Sequence, residues 1–134
     1  VPAAIVAAPV LPASAAQPDA EVIRLAAEVV RLEAAYVASF YPEARTAEEE
    51  AARAPEQARL ADLRGAATDA LAPLAPRTLA GFVAKARAAY ALAERDLDGE
   101  LAARDIGDVL ALALVAELAR LGGPLPTIPD GATG

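Results

Sequence analysis

The sequence predicts an all-α protein, a single four-helix antiparallel bundle with a Pro-rich arm at each end. Three observations support this fold class: alanine, the best helix former, occurs throughout; apolar residues recur at spacings of three and four; and prolines and glycines separate the periodic segments. A chain of 134 residues suits one domain that buries a core without disulfides or metals. We divide it into an apolar arm (1–17), a bundle domain (18–122) and a Pro/Gly-rich extended tail (123–134).

The arm contains Pro2, Pro9 and Pro12 and ends in small residues. Ala13-Ser14-Ala15 matches the A-x-A pattern of a secretory cleavage site, but no positively charged stretch precedes the apolar run. The arm is therefore either the remnant of an export leader or a mature arm, and both a periplasmic and a cytoplasmic location stay open. It is too short for a membrane span, which needs about 20 apolar residues.

The first predicted helix starts at Asp19, a residue type that caps helices, and ends at Pro42. Its inward stripe follows helical spacing, and a flanking apolar row predicts contact with neighbours on more than one side. The stripe is Val22, Leu25, Val29, Leu32, Tyr36 and Phe40, and the flanking row is Ile23, Val30 and Val37.

The second predicted helix starts with a capping box in which Thr46 accepts from the amide of Glu49 and the Glu49 side chain reaches back. The acidic run that follows Thr46 is explained by the helix dipole, so we do not interpret it as a cation site. Pro55 is predicted to restart or kink the helix. The inward stripe is Leu60, Leu63, Ala67, Leu71 and Leu74.

The third predicted helix starts at Thr78 and is followed by a break at Asp98-Gly99. A row of alanines, Ala84, Ala88 and Ala91, predicts a close approach of a neighbouring helix or of a second copy of the chain. The side chains expected to be buried are Leu79, Phe82, Val83, Ala86, Tyr90 and Ala93.

The fourth predicted helix starts near Asp105 and ends at Gly122-Gly123. The unbroken apolar run from Val109 to Ala116 predicts burial on nearly all sides. The tail beyond it is extended and polyproline-like, and either packs on its own bundle or docks onto a partner.

Composition argues against most catalytic chemistry. The chain has no His, Cys, Met or Trp, so Ser14 and Ser39 have no histidine for a Ser-His-acid triad, and the usual transition-metal ligands are missing. The acidic segment 96–100 departs from a calcium-binding EF-hand loop and is interpreted as a turn. The net charge of −7 argues against a nucleic-acid partner. We therefore expect no enzyme activity, no cofactor, no metal and no nucleic acid.

The block from Arg77 to Ala88 reads RTLAGFVAKARA. Together with the Ala-rich start of the chain, this block resembles segments of small uncharacterised helical proteins of high-GC alphaproteobacteria. Some of those proteins carry export leaders of the twin-arginine type and some are associated with prophages. The sequence contains no twin arginine, and the resemblance implies no activity.

We expect a structural or accessory protein that acts through protein–protein contacts of its helix faces and arms, as a subunit of a larger assembly or as a homo-oligomer. The candidate partner-binding residues are Tyr41, Leu125 and Ile128, because exposed aromatic and apolar groups near chain ends tend to anchor partners. The alternative is a carrier of a small apolar ligand held between helices near Tyr36, Phe40, Phe82 and Tyr90. A second alternative is a prophage-related structural protein.

Overall fold

The computed structural model describes residues 19–93, 101–102 and 106–125, with side chains described from residue 111 onward in the last of these stretches. Helices account for the regular structure of this part of the chain. They are α1 (Ala20–Ala38), α2 (Ala47–Leu71), α3 (Leu79–Leu92) and α4 (Ile106–Arg120). The predicted all-α bundle of four helices is confirmed.

The core is centred on α1. Its predicted stripe is buried from Val22 to Leu32, and Val29 and Leu32 are the largest side chains with almost no exposure. α2 adds Leu60, Ala67 and Leu71, and α3 adds Ala88 to the same apolar cluster. The close helix packing predicted from the alanine row of α3 agrees with this core, because Ala88 and Ala91 are buried and their small side chains let helices approach closely.

The helices run up, down, up and down. α1 packs against both α2 and α3, and α4 packs against α3, while other pairs of helices in the described part touch only marginally. Contacts between Arg64 and Glu33 and between Arg53 and Phe40 make α2 antiparallel to α1. Asp19 directly precedes α1, and Thr78 directly precedes α3. Because the side chains of these two residues are hydrogen-bonded, α1 and α3 start at the same end of the bundle and run parallel.

Two helix starts form as the sequence predicts. The hydroxyl of Thr46 accepts from the amide of Glu49, and the hydroxyl of Thr78 accepts from the amide of Gly81, each at 3.1 Å. The Glu49 carboxylate reaches back one residue further than a capping box requires, to the amide of Arg45 at 2.7 Å. These are local signals that short sequence windows contain.

The predicted side-chain cap of α1 is wrong. Asp19 precedes the helix as expected, but its carboxylate makes no hydrogen bond to its own first turn. It accepts instead from the amides of Arg77 and Thr78, which lie at the start of α3. A side chain that serves a helix almost sixty residues away leaves no trace in the local sequence pattern.

Pro55 neither restarts nor divides α2, which continues through it from Ala47 to Leu71. Pro55 is exposed, and so is Ala51, the residue whose carbonyl the proline leaves without an amide donor. The first helix ends at Ala38, before the predicted stop, and the Tyr41–Pro42 peptide bond is cis. Gly122-Gly123 ends α4 as predicted, with Gly123 at a φ of 111°.

Several side chains predicted to be inward are exposed. Phe40, Leu63, Leu79 and Phe82 each keep two fifths or more of their surface in contact with solvent. The predicted burial of α4 on nearly all sides is also wrong: among its described side chains, from residue 111 onward, Leu114 is 57% exposed, and the fully buried positions are Ala116 and Ala119. Periodicity finds an apolar face but does not tell whether a neighbour covers it.

The predicted cap at Asp105, the predicted break at Asp98-Gly99 and the predicted arm of residues 1–17 lie outside the described residues. α3 ends at Leu92, ahead of that break. None of the helices in the described ranges has the length and apolar character that crossing a membrane requires.

Candidate functional site

An apolar groove runs between α1, α3 and the C-terminal end of α4. Its wider part has a volume of about 450 Å³ and is open to solvent. Its lining combines large apolar side chains with alanines and a glycine. The lining residues are Ile23, Leu79, Ala80, Val83, Ala84, Arg87, Leu121 and Gly122.

A second opening of about 280 Å³ continues the groove along α1. It shares Ile23, Ala84 and Arg87 with the wider part and extends over Ala26, Ala27 and Val30. The two openings therefore form one apolar surface, which we call the α1–α3 groove. The flanking row predicted on α1 faces it through Ile23 and Val30, so the predicted second contact side of α1 is in part unoccupied by the described helices.

Glycine keeps α4 close to α3 at one end of the groove. A Cβ on Gly122 would lie 2.7 Å from Cγ1 of Val83 and 2.9 Å from Cδ of Arg87, both nearer than a real Cβ tolerates. Leu121, beside this contact, is 65% exposed. The close contact at Gly122 thus fixes where the Leu121 rim stands relative to Leu79 across the groove.

Arg87 is the charged residue of the groove lining. Its Nη1 donates to the carbonyl of Ala119 at 3.0 Å and to the carbonyl of Gly123 at 3.3 Å, so it closes the C-terminal end of α4. A cation at this end also interacts favourably with the helix dipole. The groove is therefore apolar with a single positive edge.

Beside Leu79 and Ala80 of the groove lining, the starts of α1 and α3 are held together by Asp19, which is 3% exposed. Its Oδ2 accepts from the amide of Thr78 at 2.7 Å and from the Thr78 hydroxyl, and its Oδ1 accepts from the amide of Arg77 at 3.0 Å. The hydroxyl hydrogen bond from Thr78 is the main cause that lowers the pKa of Asp19 from its ordinary 3.8; burial opposes it and the two amides assist it. Asp19 is therefore a charged anchor that joins the starts of α1 and α3.

A separate opening of about 350 Å³ lies at the corner between α1 and α2. It is more polar than the groove, and its lining is Phe40, Tyr41, Glu43, Ala44, Glu50, Arg53 and Gln57. Arg53 and Gln57 are already engaged, since they donate to the carbonyls of Phe40, Pro42 and Ser39 at the end of α1. The polar side chains of this corner therefore mainly satisfy carbonyl groups at the C-terminal end of α1.

The residues proposed for partner binding are distributed over two regions. Tyr41 is 39% exposed and lines the corner opening. Leu125 is half-buried, three residues after Gly122 at the end of the groove. Ile128 lies outside the described residues.

The residues proposed for a small apolar ligand line no common opening among those described above. Tyr36 packs on the core beneath Arg64, whose guanidinium carbon lies 4.2 Å from the ring centroid, and Phe40 meets Tyr36 edge-on at 5.1 Å. Phe82 is 48% exposed on α3, and Tyr90 is half-buried further along the same helix.

Sequence reasoning missed the groove as a unit. Its signals were present separately, in the flanking row of Ile23 and Val30 and in Ala84 of the alanine row, but each was expected to be covered by a neighbour. The described residues contain no group of three or more carboxylates placed to hold a metal ion. The arrangement offers apolar contact area and one cation.

Comparison with known proteins adds no relative: no family model, no curated protein and no solved structure matches the chain.

Proposed function

We propose that the protein is a non-enzymatic interaction module that binds an apolar helix of a partner protein in the α1–α3 groove. The observation that carries the proposal is the open, continuous apolar surface rimmed by Ile23, Leu79 and Leu121. Exposed apolar surface of this kind is costly in water and is typical of interaction sites on soluble domains.

The shape of the groove favours a helix as the occupant. Helices form its walls, and the small side chains of Ala27, Ala80 and Ala84 in its lining let a further helix backbone approach closely. Amphipathic helices that dock in such grooves place apolar side chains at spacings of three, four and seven. The partner helix would thus pack against both α1 and α3.

The charge of α3 favours an acidic flank on the partner helix. α3 carries Lys85 and Arg87 and no carboxylate, although the whole chain has a net charge of −7. Lys85 donates to carbonyls at the end of α2, whereas Arg87 lies at the groove itself. A carboxylate beside the apolar stripe of the partner would therefore face Arg87.

The predicted arms join the described chain near this groove. Asp19 follows the first arm and lies against Gly81, next to Ala80 of the groove lining, and Leu125 follows Gly122 of the same lining. Arm-mediated contacts, as expected from the sequence, would thus add to the same surface.

A carrier of a small apolar molecule is the rival function. Sites for small ligands bury most of the surface of the ligand, whereas this groove is open along its length, so it suits a helix better. A prophage-related structural protein would be one biological setting for the same binding function.

The proposal is tested by selecting binders from a library of helical peptides displayed on phage. We expect the enriched peptides to share an apolar stripe with a neighbouring Asp or Glu. Their affinity for the protein should fall by about tenfold or more in Ala80→Arg, which places a long charged side chain in the groove lining.

Ala58→Arg is the matched control, because Ala58 is exposed on α2 away from the groove. Peptides that bind the Ala80→Arg and wild-type proteins equally, or a selection that enriches no helical stripe, would refute the proposal. A library that yields nothing while an apolar dye binds in the groove with 1:1 stoichiometry would instead support the carrier.

A further inference from the structure

The longest uncharged stretch of the chain lies directly before α1. Residues 1–18 contain no charged side chain, and no other uncharged stretch exceeds nine residues. The large apolar side chains of this stretch are Val1, Ile5, Val6, Val10 and Leu11. In a chain with a net charge of −7, the N-terminal arm therefore has the chemistry that an apolar surface accepts.

The described structure fixes where this arm joins the bundle. The carbonyl of Asp19 accepts from the amide of Ile23 at 2.9 Å, so Asp19 is the residue at which α1 begins its hydrogen bonding. The Asp19 carboxylate accepts from the amide of Thr78 and lies against Gly81 of α3. The arm therefore joins the chain between α1 and α3, the two helices along which the α1–α3 groove runs.

The start of α1 also presents an apolar side chain of the groove to the arm. The residue before a helix N-cap commonly packs on the fourth residue of the helix. Here these residues are Pro18 and Ile23, and Ile23 is 41% exposed and lines both openings of the groove. A contact of this kind would bring the end of the arm onto the groove.

The arm is long enough to cover the groove. The lining from Ile23 to Val30 spans seven residues of α1, about 10 Å. Residues 5–11 span about 19 Å as polyproline II, the conformation that the prolines of the arm favour. Residues 12–18 remain for the turn from Asp19 back along the groove.

A polyproline II segment suits a groove that is open to solvent. Its backbone makes no internal hydrogen bonds and needs water. Because the groove is open along its length, carbonyls on the outer side of a seated arm would keep this water. The prolines of the arm also remove amide donors that would otherwise need partners.

The tail after α4 also borders the groove but is less suited to fill it. Residues 126–134 contain one large apolar side chain, Ile128, and the charged Asp130 follows closely. We infer that residues 5–11 of the N-terminal arm occupy the α1–α3 groove of their own chain, and that a partner helix must displace them to bind. The seating of the arm stands without a partner, whereas the competition rests on the proposed function. A displaced arm stays tethered beside the groove, where it can contact the partner.

The tether sets the size of the expected competition. A short linker holds a segment at an effective concentration in the mM range. A local dissociation constant about ten times lower than this concentration keeps the groove covered about 90% of the time. A groove that is free for about a tenth of the time binds its partner about tenfold more weakly.

A spin label and NMR test the seating in the full chain. Arg24→Cys places a label beside Ile23 but outside the lining, and it is the only cysteine of the chain. We expect the label to broaden the amide signals of residues 5–8. Leu11→Glu should remove most of this broadening, because a seated arm would have to bury the carboxylate.

Ile128→Glu is the matched control, since it makes the same kind of change in the other terminal segment and should leave the broadening unchanged. Equal broadening in wild type and Leu11→Glu would overturn the inference, because an arm that is tethered but not seated gives this result. Loss of broadening in Ile128→Glu would assign the groove to the tail and overturn it as well. Broadening of a ¹⁵N-labelled chain by a spin-labelled second chain would show exchange between copies and overturn seating within one chain.

Peptide affinity tests the competition. The helical peptides selected for the groove should bind Leu11→Glu about tenfold more tightly than wild type, and Ile128→Glu with the affinity of wild type. Equal affinities for wild type and Leu11→Glu would overturn the competition. A selection that yields no peptide would refute the proposed function alone, because the spin label decides the seating of the arm by itself.

Discussion

Gly81 and Gly65 both lie inside helices, but their surroundings differ. A Cβ on Gly81 would lie 2.1 Å from Oδ2 of Asp19, the buried carboxylate that joins the starts of α1 and α3. A Cβ on Gly65 would meet nothing within 4 Å. Gly81 is therefore required by a close tertiary contact, whereas Gly65 only lowers the helix propensity of α2.

This difference predicts opposite effects of the same substitution. Gly81→Ala should lower the free energy of unfolding by about 1–3 kcal/mol, because the methyl group displaces the Asp19 carboxylate from its amide donors. Gly65→Ala, the matched control, should raise it by roughly 0.5–1 kcal/mol. Urea denaturation followed by circular dichroism measures both, and a stabilised Gly81→Ala variant would contradict the role assigned to Asp19.

The environment of Asp19 also predicts that the free energy of unfolding depends on pH. Its pKa in the folded protein is lowered from the ordinary 3.8, chiefly by the Thr78 hydroxyl. A lowered folded pKa means that the carboxylate contributes stability above the unfolded value, and that this contribution is lost as the pH falls through the folded value. Asp19→Asn should therefore be less stable than wild type near neutral pH, and the difference should shrink below about pH 4.

Urea unfolding midpoints measured from neutral to acidic pH test this. Glu56→Gln is the control: the pKa of Glu56 is also lowered, by its hydrogen bond with Arg59, but the pair is exposed and screened by solvent. Its effect should be small and should decrease further in salt. A gap between wild type and Asp19→Asn that stays constant down to acidic pH would contradict the prediction.

At the scale of the helices, several ends are closed by side chains of another helix. Arg53 and Gln57 of α2 donate to carbonyls at the end of α1, Lys85 of α3 donates to those of Ala72 and Leu74 after α2, and Arg87 of α3 serves the end of α4. Three of these four donors are cations at helix C-termini, where the dipole favours positive charge. Helix ends and tertiary packing are therefore coupled.

Lys85→Met tests this coupling, because methionine keeps the apolar stem of the side chain and removes its donors. We expect the free energy of unfolding to fall by about 1–2 kcal/mol, as two carbonyls lose a charged donor. Arg59→Met, at an exposed intrahelical ion pair, should cause no measurable change. Equal effects of the two substitutions in urea denaturation would refute a special role for Lys85.

These contacts at helix ends also show which helix boundaries could be predicted from the sequence and which contacts could not. The caps at Thr46 and Thr78 and the stop at Gly122-Gly123 depend on neighbours within a few residues, and they were predicted. The partners of Asp19, Lys85 and Arg87 lie 11 to 59 residues away. No spacing rule connects such residues before the fold is known.

At the scale of the whole molecule, α1 is the helix on which the others depend. It packs against α2 and α3 and supplies five of the nine buried residues of the apolar cluster, whereas α4 packs substantially on α3 alone. We expect the amides around Val29 and Leu32 to exchange with solvent hydrogen only through global unfolding, and those of α4 to exchange faster through local opening.

Hydrogen exchange followed by mass spectrometry tests this order. Protection of α4 equal to that of α1 would contradict the central position assigned to α1.

The arrangement of helices was harder to predict than their number. The sequence shows that α4 has apolar residues on two sides, but an apolar run has the same composition whether one side or both are covered. Leu79 and Phe82 present the same problem on α3. Because the choice depends on which helices pack together, the groove became visible only in three dimensions.

The segment between α2 and α3 has a practical consequence for protein engineering. It is short, contains Pro73 and Pro76, and is largely exposed, so it looks like a natural place for a tag or an inserted domain. Yet Lys85 holds it at Ala72 and Leu74, and Asp19 holds it at Arg77 and Thr78. An insertion there would separate two anchored ends, so affinity handles belong elsewhere on the chain.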